Sequence, residues 1–160
     1  MKRKTILTIF AWILCSMVGI FTAPTKVYAE ESQAIWEYEI YGEGVAVTKY
    51  NGTATDVFVP AAISVDGEAK KVLKLGDGLF ENNDALNSVT LANGIVEIGA
   101  RVFYDADNLV CIVTNETLTS IGAEAFYSCD NFNSVILYDA VTGIGTDAFA
   151  QCPKVTVWCN

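Results

Sequence analysis

The chain of 160 residues contains no histidine. Imidazole is the commonest general base and metal ligand near neutral pH, so its absence removes the usual nucleophile–histidine relays. The five cysteines include no Cys-x-x-Cys pair. Without histidine to complete a tetrahedral set, a structural zinc site is not expected. Basic residues are scarce, 10 Lys and Arg against 19 Asp and Glu. Such a balance repels a phosphate backbone and argues against nucleic-acid binding. Only one long apolar run exists, Ile6 to Phe21, and at about 16 residues it falls short of the ~20 needed to span a bilayer.

That run reads as part of a leader. Lys2, Arg3 and Lys4 precede it, and Val27-Tyr28-Ala29 places a small residue at a cleavage point. Residues 1–29 are therefore expected to be a secretory signal peptide rather than a retained anchor, leaving no stable membrane span. The leader holds four of the ten basic residues and no acid, so the remainder carries six against nineteen, a net charge of −13. This favours solubility, or a partner with a basic face.

Residues 30–34 form a short acidic linker. Trp36, Tyr38 and Ile40 then alternate with Glu37 and Glu39, the pattern of a half-buried strand with an aromatic face. Tyr41-Gly42-Glu43-Gly44 is a turn, and Val45, Val47 and Tyr50 return. Residues 35–54 are thus expected to form a β-hairpin. Its aromatic face suits a cap over an open apolar end; a carbohydrate platform of Trp36 and Tyr38 is the rival use.

From Val72 onward the chain repeats itself every 23 residues. Leu75-Gly76, Ile98-Gly99, Ile121-Gly122 and Ile144-Gly145 recur at this interval. So do Phe80, Phe103, Phe126 and Phe149; Val72, Ile95, Leu118 and Val141; Leu86, Leu109, Phe132 and Val155; and Val89, Ile112, Val135 and Trp158. A period of about 20–29 residues with such positions is that of a leucine-rich-repeat solenoid. The expected fold is an α/β solenoid over residues 55–160, capped by the N-terminal hairpin. Its coils are about 55–86, 87–109, 110–132 and 133–155, with a partial coil at 156–160. Each coil should contain a strand such as Ser88–Leu91, an extended piece ending in Ile-Gly, and a compact helical turn such as 100–106. The glycine of Ile-Gly is expected to permit a bend that a Cβ would obstruct. Val57-Phe58-Val59-Pro60 aligns with Val89-Thr90-Leu91-Ala92, and the first coil holds nine extra residues near Ala62 to Lys70. These are expected to be a tolerated surface loop turning at Ser64-Val65-Asp66-Gly67.

Two segments carry a family resemblance. Ser134-Val135-Ile136-Leu137, followed by Val141 through Cys152, resembles the BspA-like leucine-rich repeat. Leu118-Thr119-Ser120-Ile121-Gly122-Ala123-Glu124-Ala125-Phe126-Tyr127-Ser128-Cys129 resembles it too. Residues 41–57 are similar to the lead-in that often precedes such arrays. The resemblance implies a secreted or surface-held protein, adhesion to host matrix or to other cells, and no catalytic residues.

The cysteines outside the leader are Cys111, Cys129, Cys152 and Cys159. Helical turns packed ~8–10 Å apart would keep Cys129 and Cys152 beyond the ~7 Å Cα limit of a bridge. Cys111 and Cys159, two coils apart on the outward parity, would lie near 10 Å apart. Four free thiols are expected. Asp105, Asp107, Asp130 and Asp139 sit near turns without calcium-loop spacing and read as solvated. Glu37 and Glu39 share one strand face, whereas glycosidase carboxylates face each other across a cleft. Asn51-Gly52-Thr53 and Asn115-Glu116-Thr117 match the glycosylation acceptor pattern.

No enzyme, cofactor or metal is therefore expected. The function indicated is a non-catalytic module binding a protein or glycan of a host matrix or a neighbouring cell. Thr90, Val113 and Ile136, with Cys159, are expected to form an outward stripe across successive strands, with Tyr138 beside it. Contiguous exposed apolar surface of this kind can mark a partner site; ordinary β-branched preference in strands is the alternative reading of the stripe. The rival is a structural spacer or a remnant of a larger surface protein. The final coil stops mid-strand by register at Trp158-Cys159-Asn160. A frayed end, self-association there or a truncated reading frame is expected.

Overall fold

The computed structural model describes residues 35–159; the expected signal peptide and linker lie outside the described residues. The strands are β1 (Trp36–Tyr41), β2 (Gly44–Tyr50), β3 (Asp56–Val59), β4 (Ala62–Val65), β5 (Glu68–Leu75) and β6 (Ser88–Leu91). They continue as β7 (Glu97–Ile98), β8 (Cys111–Val113), β9 (Ser120–Ile121), β10 (Ser134–Leu137), β11 (Gly143–Ile144) and β12 (Thr156–Cys159). Two sheets run the length of the solenoid. One has the order β1-β2-β5-β7-β9-β11 with β4 also on β5; the other has the order β3-β6-β8-β10-β12. Each full coil gives one strand to each sheet, and neighbouring coils pair in parallel.

The third side of each coil differs from expectation. Among the described residues no coil contains an α-helix; segments such as 100–105 are runs of tight turns. Alternate N–H groups donate to the next coil, and those between donate three residues back along their own, as Tyr104 does to Arg101 at 3.2 Å. Phe80 N–H reaches the Val102 carbonyl at 2.8 Å, Phe103 reaches Ala125 at 2.7 Å, and Phe126 reaches Ala148 at 2.8 Å. This side is thus a third hydrogen-bonded ladder, which satisfies the backbone that a helix would have satisfied internally. Its geometry requires left-handed residues at two registers. One is Gly78, Arg101, Glu124 and Asp147; the other is Asn82, Asp105, Ser128 and Gln151.

The core lies between the three ladders. Phe80, Phe103, Phe126 and Phe149 stand in single file with centroids 5.5, 4.9 and 5.1 Å apart. The offset between coils is set by hydrogen bonding at ~4.8 Å, not by helix packing. It is also why glycine follows each Ile corner. Gly99, Gly122 and Gly145 do not have positive φ, so no special bend requires them. A Cβ on Gly122 would meet the Gly99–Ala100 backbone at about 2.5 Å, so the glycine permits close stacking of corners.

At the N-terminal end β1 and β2 form an antiparallel hairpin, and β2 extends the first sheet by pairing with β5. Trp36 and Tyr50 pack on each other, centroids 4.8 Å apart, and both contact Phe80. Ile40, expected on the buried aromatic face, is exposed. β1 lies two strands beyond β5 while the opposite sheet ends at β3, so among the described residues no strand of that sheet faces Ile40.

The nine extra residues are not a surface loop. They build the β4–β5 hairpin, closed by Asp66 and Gly67 with φ of 53° and 86°. Positive φ at both central residues is the tight hairpin geometry that matches strand twist. Alternation then buries Ile63 and Val65 within the core.

Candidate functional site

The outward face of the second sheet follows from two-residue alternation. Val57, Val59, Val89, Leu91, Ile112, Val135 and Leu137 point into the core, so the residues between them face away. Register then aligns those outward residues. Phe58 pairs with Thr90, Thr90 with Val113, and Ile136 with Trp158, while Val135 pairs with Ile112 and so sets Ile136 beside Val113. The result is one row, Phe58–Thr90–Val113–Ile136–Trp158. Its four large apolar members are between 46% and 60% exposed.

Three of the four expected residues, Thr90, Val113 and Ile136, fall in this row. Tyr138 lies beside it, on the rim of a cavity of about 240 Å³ that Cys111, Val113, Ser134 and Ile136 also line. Cys159 does not belong to the row. The last coil is one residue shorter between Val155 and Val157, so Val135 pairs with Val157 and Leu137 with Cys159. Trp158, expected inward, therefore faces out, and Cys159 takes the core parity. Phe58 is the other member not anticipated, although the alignment of Val57-Phe58-Val59 with Val89-Thr90-Leu91 already placed it opposite Thr90.

A polar row borders the apolar one: Asp56, Ser88, Cys111, Ser134 and Thr156 lie at successive register positions. Asp56 accepts hydrogen bonds from Ser88 Oγ at 2.5 Å and Asn87 Nδ2 at 2.8 Å. These donors hold its carboxyl below the usual range. On the other border Thr114 Oγ1 donates to the Ile136 carbonyl, and Asn115 Nδ2 donates to the Ala92 carbonyl at 2.8 Å. Side chains thus continue the ladder where β8 ends, which fixes the backbone under Ile136.

Elsewhere the charges form coil-to-coil pairs. Arg101 bridges Glu81 at 2.6 Å and Glu124 at 2.7 Å and lies 3.5 Å over the Tyr104 ring. On the first sheet Lys74 meets Glu97 at 2.8 Å, and Tyr41 Oη donates to Glu97 at 2.7 Å. Burial raises the Glu97 carboxyl, but hydrogen bonds from Lys74 and Tyr41 outweigh it and hold the group below its ordinary value. Asp107 is raised by burial and by Asp130, Asp105 and Asp84. Among the described residues no three acidic or cysteine side chains converge as metal ligands.

Among the described residues Cys111, Cys129, Cys152 and Cys159 are free thiols. The distance argument against a Cys129–Cys152 bridge fails, however, because their coils are hydrogen-bonded neighbours, with Ser128 N–H 3.0 Å from the Ala150 carbonyl. A coil step of ~4.8 Å lies inside the bridging window.

Residues 66–158 match the model of the BspA type leucine-rich repeat region, 6 copies. A leucine-rich repeat protein of Bacteroides capillosus superposes with a TM-score of 0.72 at 23% identity, over 79% of this chain and 94% of that one. A leucine rich cell surface protein of Faecalibacterium prausnitzii gives 0.62 at 22% identity, over 79% of this chain and 41% of its own. The pneumococcal vaccine antigen PcpA gives 0.59 at 22% identity, over 76% of this chain and 30% of its own. Likeness at these identities establishes the fold. No curated protein matches the chain.

Proposed function

Because the chain belongs to the BspA-type leucine-rich repeat family, we propose that it is a non-catalytic binding module acting outside the cell or at its surface, and that it grips a partner with the outward row of the second sheet. The observation that carries this reading is the row itself. Phe58, Val113, Ile136 and Trp158 are large apolar side chains held in water on a rigid parallel sheet, with a cavity between two of them. Aromatic anchors around an apolar centre with a polar border are the makeup of interface hot spots. The chain's surplus of acid, 19 Asp and Glu against 10 Lys and Arg, favours a partner whose rim is basic. Extracellular action is supported by the leader-like residues 1–29 and by the description of the Faecalibacterium relative as a cell surface protein. The partner class is a protein or glycan of a host matrix or a neighbouring cell.

The test uses immobilised extracellular-matrix proteins and cell-wall glycans as probes, with wild type beside an Ile136→Lys, Tyr138→Lys double variant. Both substitutions face solvent, so circular dichroism should be unchanged. Binding should weaken at least about tenfold, equivalent to ~1.4 kcal/mol. Binding retained by a folded double variant removes this face from the reading. Failure of the wild type to bind any probe favours the spacer role instead.

A further inference from the structure

Cys129 and Cys152 stand on consecutive coils at one register. Their segments are joined by the Ser128 to Ala150 hydrogen bond, so their backbones run about 4.8 Å apart, within the roughly 4.4–6.8 Å that a disulfide spans between Cα atoms. Cys129 Sγ donates to the Phe103 carbonyl at 2.9 Å, and Cys152 Sγ donates to the Phe126 carbonyl at 2.8 Å. Each thiol therefore leans toward the coil before it, and that of Cys152 leans toward the coil of Cys129. Their surroundings differ. Cys129 is sealed in the core, whereas Cys152 is half-buried and opens on a cavity of about 360 Å³ lined by Asp130, Phe149, Gln151 and Pro153.

We propose that this pair is a thiol–disulfide exchange site, in which Cys152 attacks a small cationic or uncharged organic disulfide in the cavity and Cys129 resolves the adduct. In the first step the Cys152 thiolate forms a bond to one sulfur of R–S–S–R; the S–S bond breaks and RS⁻ leaves. In the second step Cys129 gives its proton to that thiolate and attacks the Cys152 sulfur. A Cys129–Cys152 bridge forms, and the second RS⁻ leaves with a proton from water. One disulfide is reduced to two thiols, and the protein supplies both electrons. The preference for a cationic reagent follows from Asp130 at the cavity and from a chain with net charge −9.

The division of labour follows from the same geometry. The Cys129 thiol beside it holds Cys152 down to about 7, against burial and Asp130. Beside Cys152 the Cys129 thiol is pushed well above the ordinary thiol range, and in the adduct, where the Cys152 thiolate is gone, burial and Asp107 still raise it. A thiol near ambient pH is the better attacker, and a raised one is a slow resolver. The two steps therefore separate in time. None of this depends on the outward face of the second sheet.

The experiment treats the intact chain with cystamine, quenches with acid at intervals and maps the cysteine peptides. A cysteamine adduct should appear first on Cys152, about threefold faster at pH 7 than on an ordinary exposed thiol, since greater ionisation is partly offset by lower nucleophilicity. Cys159 is the internal comparison. The adduct should then give way to a Cys129–Cys152 bridge, and its initial rate should level off just above pH 7. Cys129→Ser should arrest the reaction at the adduct, and Cys152→Ser should leave Cys129 unmodified. Oxidised glutathione, which is anionic, should react several-fold more slowly; equal rates would overturn the charge preference. A wild-type adduct that never converts, or a Cys159 that outpaces Cys152, overturns the site. The wild-type time course decides this even where a serine variant does not fold.

Discussion

The two ends of the solenoid carry the same ladder residues in different surroundings. Ile98, Ile121 and Ile144 occupy one register, yet their exposures are 0%, 2% and 53%. At the N-terminal end the first coil is covered: Trp36 and Tyr50 lie on Phe80, and Ile63 and Val65 of the β4–β5 hairpin join the same core. At the other end β11 and β12 have a neighbour on one side among the described residues, and Ile144 and Val157, both at core parity, are open to water. In a linear stack, burial is a property of the neighbour and not of the residue. Stability should accordingly be a sum of coil and interface contributions.

The comparison breaks most sharply at Trp36. Truncating a buried aromatic costs about 3–5 kcal/mol, and Trp36→Ala also uncovers Phe80. Urea melts should show that loss, and hydrogen exchange should spread from β2 and β5 into β7. A loss confined to β1 would show that the hairpin is only an appendage. The isoleucine ladder sharpens the same point. Ile121→Ala should cost roughly 2–4 kcal/mol through cavity formation, whereas Ile144→Ala should cost under about 1 kcal/mol. Equal losses in urea melts would contradict burial by neighbour.

The sequence displayed what repeats and hid what departs from repetition. Five registers at a 23-residue interval were enough for the solenoid, the phenylalanine file and three members of the outward row, because parallel pairing converts a period directly into adjacency. The last strand escaped because a single omitted residue between Val155 and Val157 reverses side-chain parity, and the Trp158 match at the regular interval concealed it. The insertion near Ala62 to Lys70 read as a loop because entropy tolerates loops. Its Asp66-Gly67 turn and alternating Ile63 and Val65 were hairpin signals of equal strength. The third side reads as helical because its short apolar spacing fits one helical turn, whereas every second N–H bonds to a carbonyl one coil away and sets the coils at sheet spacing. Helix-packing distances therefore overstate the separation of Cys129 and Cys152.

The smallest expected effect tests that third side. Its ladder holds Asp147 at φ 55°, a conformation that costs an L-residue roughly 1 kcal/mol and glycine almost nothing. The same register already holds Gly78 in the first coil, at φ 68°. Asp147 is exposed and makes no ion pair among the described residues, whereas Arg101 at the equivalent position is tied to Glu81 and Glu124, so Asp147 isolates the backbone contribution. Asp147→Gly relieves strain in the folded coil but raises the entropy of the unfolded chain. These effects oppose each other, and the net gain should be about 0.5 kcal/mol. Arg101→Gly should instead destabilise, because the bridged pairs and the Tyr104 contact are lost with the side chain. Paired urea melts of the two variants read the difference in sign. A loss of stability in Asp147→Gly would mean that the turn ladder holds its left-handed residues without strain.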